Sequence, residues 1–289
     1  MNAFRRGCAA LALLLSTGAA TAAGPEPLWT LSGFAQPESV VFAANQNVLY
    51  VSNINGEGTA KDGNGFISKV SPDGKMIKRD WLRGLNAPKG LGYRGGLLYI
   101  ADIDELVVVD TGNGRIKSRH KAAGAKFLND VAVDGSGRVY VSDMMTNTIW
   151  RLNGDSLGVM LASPKLEGPN GLLVEGDKLI VGSWGVLTGN GFETSSEGYL
   201  QALDRTTNVL EPRFAPVPFA NIDGLVADGK GGYILSDWAH GNVYKVSATG
   251  EVTLWLLLEQ GSADIAIGPA KRLLVPMMLN NELRAYAID

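Results

Sequence analysis

Four oxygen-bearing side chains stand at the same point of a recurring sequence unit: Glu38, Asn129, Asn170 and Asp223. Carboxylates and carboxamides are the ligands of a hard divalent cation. Calcium takes six to eight such oxygens and completes its shell with water. The two negative charges balance an ion of charge two. The same four residues also fit a second reading, a hydrogen-bonded polar cluster around a water-filled channel, because buried polar groups need partners. Softer chemistry is scarce. One Cys and two His exclude an intramolecular disulfide, a cysteine zinc cluster and a three-histidine centre. There is no G-x-S-x-G elbow and no phosphate loop. Gly63-Asn64-Gly65 and Gly189-Asn190-Gly191 lack the strand–helix setting such sites need.

The composition narrows the class. The chain has 289 residues, 45% hydrophobic and only 19% charged, with 37 Gly. That is enough apolar mass for a core, and it excludes a disordered chain or a coiled coil. A formal net charge of −3 argues against a nucleic-acid partner, which requires a clustered basic surface. The glycines and the lack of long helix-forming runs point to all-β structure with many turns.

Residues 1–23 read as a secretory signal peptide. Arg5 and Arg6 form a positive start, Cys8 to Leu15 a short apolar stretch, and Ala20 to Ala23 a small-residue cleavage region. The apolar stretch is too short to span a membrane, and no later run approaches the ~20 residues a span needs. The expected mature domain, 24–289, has no Cys, which suits a periplasmic or secreted protein.

The rest of the chain repeats. Asn129 to Asp143 (NDVAVDGSGRVYVSD) and Asp223 to Asp237 (DGLVADGKGGYILSD) show the unit best. Units headed by Glu38, Lys89, Asn170 and Ala263 follow the same pattern. Each reads as two strands joined by a tight Gly/Asp turn. A third strand follows, at Phe66–Val70, Leu106–Val109, Thr148–Leu152, Tyr199–Leu203, Asn242–Val246 and Glu282–Ile288. A fourth, more polar segment comes after most of these, such as Lys75–Trp81 and Val252–Leu258. The heads recur at about the length of a four-stranded propeller blade, 40–45 residues. Two intervals are longer, each because of an expanded loop, Asn53–Gly65 and Ser183–Gly198. The expected fold is a six-bladed β-propeller with four-stranded blades, in which Leu28–Phe34 supplies the outer strand of the last blade.

In a propeller the first strand of each blade lines the channel, so the six heads ring its mouth: Glu38, Lys89, Asn129, Asn170, Asp223 and Ala263. Asp130 and Asp264 directly follow ring positions. His240 falls on the same face and reads either as an acid or base near neutral pH or as an exposed turn histidine. Trp184, Trp238, Met144, Met145, Met277 and Met278 fall on mouth loops, as an apolar rim for a hydrophobic substrate or as packing between blades. The two expanded loops belong to opposite blades and are candidate lids. His120, in RIKSRHK, is expected on a solvated outer strand.

These residues carry a family resemblance. Pro37-Glu38-Ser39-Val40, Asn129-Asp130, Asn170-Gly171 and Asp223-Gly224, in this order at blade spacing, make the chain similar to the gluconolactonase/regucalcin (senescence-marker protein) family of six-bladed propellers. More distantly it resembles diisopropylfluorophosphatases and paraoxonases. The resemblance implies a divalent metal, usually calcium and also zinc or manganese, held by Glu38, Asn129, Asn170 and Asp223. It also implies hydrolysis of lactones or related esters. The chain departs from that pattern in two places. Lys89 stands in the ring, where it either stabilises a developing oxyanion or pairs with Glu38 and competes with the metal. Phe127, preceded by Lys126, occupies the position of a substrate-binding Arg.

The expected function is a periplasmic metal-dependent hydrolase acting on a small lactone or ester. Asp223 serves as ligand and general base, Lys89 and His240 as further catalytic candidates, and Asn129, Asp130, Trp184 and Trp238 as substrate contacts. No nucleic acid, membrane or obligate protein partner is expected. The competing reading is a non-catalytic propeller that binds a small ligand or a protein at the same mouth.

Overall fold

The computed structural model describes residues 24–288. The signal-peptide reading of residues 1–23 lies outside the described residues. Alternating apolar residues and Gly/Asn/Asp turns fold the chain into six four-stranded antiparallel sheets arranged as a closed ring of blades. Blade one is Pro37–Ala43, Val48–Asn53, Gly65–Val70 and Met76–Leu85. Blade two is Pro88–Arg94, Leu97–Asp102, Glu105–Asp110 and Arg115–Lys121, and blade three is Leu128–Val133, Val139–Asp143, Thr148–Asn153 and Ser156–Ala162. Blade four is Pro169–Glu175, Lys178–Ser183, Leu200–Asp204 and Leu210–Pro212. Blade five is Ile222–Ala227, Tyr233–Asp237, Asn242–Val246 and Val252–Leu257. Blade six joins Ala266–Gly268, Arg272–Met277 and Glu282–Ala287 to the early strand Trp29–Ser32. Trp29 lies opposite Ala285 and Ser32 opposite Glu282. The expected all-β, six-bladed fold is the observed one.

The core sits between blades. Tyr50 and Ile67 of blade one pack on Leu91, Ile100 and Val107 of blade two, all of them buried. The same sandwiching repeats around the ring, so each sheet is covered on both faces and reads as a near-continuous apolar run. Among the described residues no helix is long and apolar enough to cross a membrane.

Three details differ from the sequence reading. The long loop of blade four contains its own short hairpin, Gly185–Leu187 with Thr194–Glu197. The inner strand of blade six is short and starts at Ala266 instead of Ala263, because Asp264 N–H bonds outward to the Glu38 carbonyl of blade one. His120 is buried instead of solvated. Its ring nitrogens bridge Ser118 Oγ (2.7 Å) and the Asp155 carbonyl (2.8 Å) in a turn of blade three. The basic residues beside it follow the solvated face of that strand, but the ring points to the next blade.

Candidate metal and ligand site at the channel mouth

The heads of blades one to five are the second residues of their inner strands: Glu38, Lys89, Asn129, Asn170 and Asp223. In each of these blades the pairing register shifts just after the first residue, between Pro37 and Val40, Pro88 and Leu91, Leu128 and Val131, Pro169 and Leu172, and Ile222 and Leu225. A bulge of this kind re-aims the side chains it contains. Here it faces successive heads toward the axis and frees backbone groups that the strand ladder no longer pairs.

Serines on the neighbouring strand take up those groups. Ser142 Oγ accepts from Asp130 N–H (2.9 Å) and donates to the Asn170 carbonyl of the next blade (2.8 Å). Ser236 Oγ accepts from Gly224 N–H (2.8 Å) and donates to the Ala263 carbonyl (2.7 Å). The Asp that ends the same strand holds the loop leading into the head. Asp102 accepts from Asn86 and Ala87 N–H, and Asp143 from Lys126 and Phe127 N–H. The recurring Ser-Asp ending of the repeat is therefore scaffolding for the ring.

The residue after each head meets the next blade. A Cβ on Gly171 would come within 2.4 Å of the Asp223 carbonyl, and one on Gly224 within 2.2 Å of Ile265 N. Only glycine allows that approach. Where the position is not glycine, its side chain bridges blades. Ser39 Oγ donates to Asp264 Oδ2 (2.5 Å), and Asp130 Oδ2 accepts from Leu172 N–H (2.6 Å). The other Asp130 oxygen accepts from Val131 N–H.

The ring residues close the floor of a cavity of about 200 Å³. Glu38, Asn129, Asn170 and Asp223 all line it, as does Lys89. Each of the four is buried, and among the described residues none of Glu38 Oε2, Asn129 Oδ1, Asn170 Oδ1 and Asp223 Oδ1 accepts a well-formed hydrogen bond. Asn170 Nδ2 makes no well-formed hydrogen bond, but the Asn170 side chain lies close enough to Asp223 to favour its charged form. One unsatisfied oxygen from each of four blades, facing one cavity, is the donor set of a hard cation. Among the described residues no three His, Cys, Asp or Glu side chains come together as ligands, and the donors a cation would meet here are two carboxylates and two carboxamides. The fit to calcium chemistry is good.

The electrostatics describe a floor whose carboxyl groups resist ionisation unless a positive charge joins them. Burial, and then the charge of Asp223, holds the Glu38 carboxyl well above the usual range. Burial and Asp130 push Asp223 up to about 8. Burial alone lifts Asp130 to about 7, against the two N–H bonds that it accepts. A bound cation reverses this penalty by favouring the charged forms.

Lys89 does not pair with Glu38. Its ammonium donates to the carbonyls of Gly58 (2.8 Å) and Ala87 (3.0 Å) and lies 4.2 Å from the centroid of the Phe127 ring. Burial lowers it to about 8, against the pull of Glu38 and Asp102. The walls above are aromatic. Trp184 contacts Trp238 (6.0 Å between centroids) and Phe192 (6.3 Å), and Phe192 contacts Phe127 (5.2 Å). Trp184 and Trp238 thus line the cavity, whereas Asp130 and His240 do not. His240 sits in a neighbouring depression, its Nδ1 2.9 Å from Asp237 Oδ2 and 3.8 Å from Glu197 Oε1. Phe192 escaped the sequence reading, because a single aromatic in a Gly-rich loop carries no periodic signal.

Fold and site together define a six-bladed propeller with an oxygen-lined floor at the channel mouth. The chain belongs to the family described as SMP-30/Gluconolactonase/LRE-like region, which it matches over residues 36–274. No match was found among curated protein sequences. Solved structures share the fold. A gluconolactonase from Xanthomonas campestris aligns with a TM-score of 0.65 at 17% identity, covering 89% of this chain and 88% of its own. A virginiamycin B lyase from Staphylococcus aureus aligns at 0.58 and 12%, covering 90% and 99%. The WD40 propeller domain of Doa1 aligns at 0.62 and 14%, covering 87% and 78%.

Proposed function

We propose that this chain is a metal-dependent hydrolase of lactones or related esters, exported to the periplasm. The observation that carries the reading is the set of four buried, unpaired oxygens of Glu38, Asn129, Asn170 and Asp223 facing one cavity. Family membership supports the same class of reaction.

A divalent cation, calcium in first place and zinc or manganese as substitutes, would when bound supply Lewis-acid polarisation of a carbonyl and acidify water. The protein contributes the rest. Glu38 anchors the charge. Asn129 and Asn170 bring both a carbonyl oxygen and an amide N–H, so each can hold the ion and orient a substrate oxygen. Asp223, a carboxylate lining the floor, is assigned as the base that would take a proton from water. The aromatic walls exclude bulk water, which strengthens each of these interactions. Lys89 serves as a strut, since its N–H groups are directed at Gly58, Ala87 and Phe127. His240, outside the cavity, is a candidate for the rim only.

The test is a panel of lactones and aryl esters assayed with calcium and with chelator. Turnover that disappears with chelator and with Asp223→Ala is the expected result. Bound calcium without turnover of any member would leave a ligand-binding propeller instead. Export is checked by recovering the protein, shortened by residues 1–23, from a periplasmic fraction.

A further inference from the structure

We infer that the substrate of this site has an apolar, planar body joined to the reacting lactone or ester, and is not a polyol. The inference rests on the hydrolase reading for the reaction and on the cavity walls for the body. A sugar lactone carries hydroxyls around its ring, and each needs a partner once it leaves water. The walls offer almost none. Trp184 Nε1–H is already donated to the Phe192 carbonyl (2.9 Å), and Trp238 Nε1–H to Met278 Sδ (3.4 Å). An ammonium has three N–H groups. Those of Lys89 are accounted for by two carbonyls and an aromatic face.

The other side chains above the floor are Ile54, Met144, Leu279 and the rings of Phe127 and Phe192. Polar capacity is therefore confined to the floor, where the reacting carbonyl sits. The walls instead present a continuous run of ring contacts from Phe127 through Phe192 and Trp184 to Trp238. Aromatic rings prefer to meet other rings in offset or edge-to-face arrangements, which suits a flat guest. The cavity of about 200 Å³ admits a small fused ring system.

The experiment compares two six-membered lactones, dihydrocoumarin, which releases a phenol, and gluconolactone, which releases an alcohol, with each rate taken relative to its own uncatalysed hydrolysis. A second, binding-only arm uses the unreactive lactams dihydroquinolinone and gluconolactam, read by quenching of tryptophan fluorescence in the calcium-loaded protein. The expected result is a preference of at least about 100-fold for the aromatic member, in kcat/KM and in Kd. Phe192→Ala, at an exposed loop tip, is expected to weaken dihydroquinolinone binding about tenfold and gluconolactam binding by no more than about twofold. Equal or better binding of the sugar compounds overturns the inference, as does equal weakening of both lactams by Phe192→Ala. Selective lactam binding without hydrolysis of either lactone supports the inference while removing the hydrolase reading.

Discussion

The Lys89 ammonium lies 4.2 Å from the centre of the Phe127 ring and hydrogen-bonds two backbone carbonyls, with no carboxylate in ion-pair range among the described residues. A cation in the ring of heads is thus directed away from the candidate ion site, into the wall and the loop of blade one. The consequence is testable with Lys89→Met, which keeps the apolar stem. Loss of the bond to Gly58 should speed protease cleavage in the Gly56–Gly63 segment about tenfold. Removing a positive charge near Glu38 should tighten calcium binding several-fold by calorimetry, in the direction Coulomb's law requires.

The four floor oxygens predict linkage between calcium and stability. A ligand at 100 times its Kd stabilises the folded state by about 2.7 kcal/mol, a rise of about 5 °C in Tm for a chain of this size. Asp223→Asn should abolish that rise. In chelator the same variant should be at least as stable as the parent, because it removes one of several mutually repelling buried carboxylates. Thermal melts with and without calcium check both signs.

Gly171 tests the close approach of blades four and five. The added Cβ of Gly171→Ala meets the Asp223 carbonyl at 2.4 Å, so it should cost about 3 kcal/mol and misplace Asp223. Gly135→Ala is the control. A Cβ there meets nothing within 4 Å, so stability should change by less than about 1 kcal/mol. Denaturant titrations separate the two.

A pH effect on stability should come from Asp134, far from the mouth. Burial pushes its carboxyl up. Bonds from Ser136, the Arg138 backbone and the guanidinium groups of Arg205 and Arg138 outweigh this and hold it well below the usual 3.8. A depressed folded pKa contributes stability that is full above the unfolded value and is lost as the pH falls through the folded one. Asp134→Asn should therefore be about 2 kcal/mol less stable than the parent at pH 7. The gap should close progressively below about pH 4, followed by denaturant midpoints at each pH.

The blades were legible because their signals are local. Alternation such as Val139–Asp143 and turns such as Asp134-Gly135-Ser136-Gly137 act over a few residues, and they recur with one period along the chain. Equivalent repeat positions must occupy equivalent places around an axis, so the sequence alone could align Glu38, Asn129, Asn170 and Asp223 on one ring. It could not say where each side chain points. Asp130 follows a head exactly as Gly171 does, yet its carboxylate is spent on Val131 and Leu172 N–H. Lys89 has a ring position by alignment, but Gly58 and Phe127, contributed by other blades, decide where its ammonium rests. His120 sits among basic residues and is buried by a turn of the next blade. Period and turn chemistry are properties of neighbouring residues and can be read from their order. The aim of a side chain depends on partners brought from distant segments, which exist only once the ring has closed.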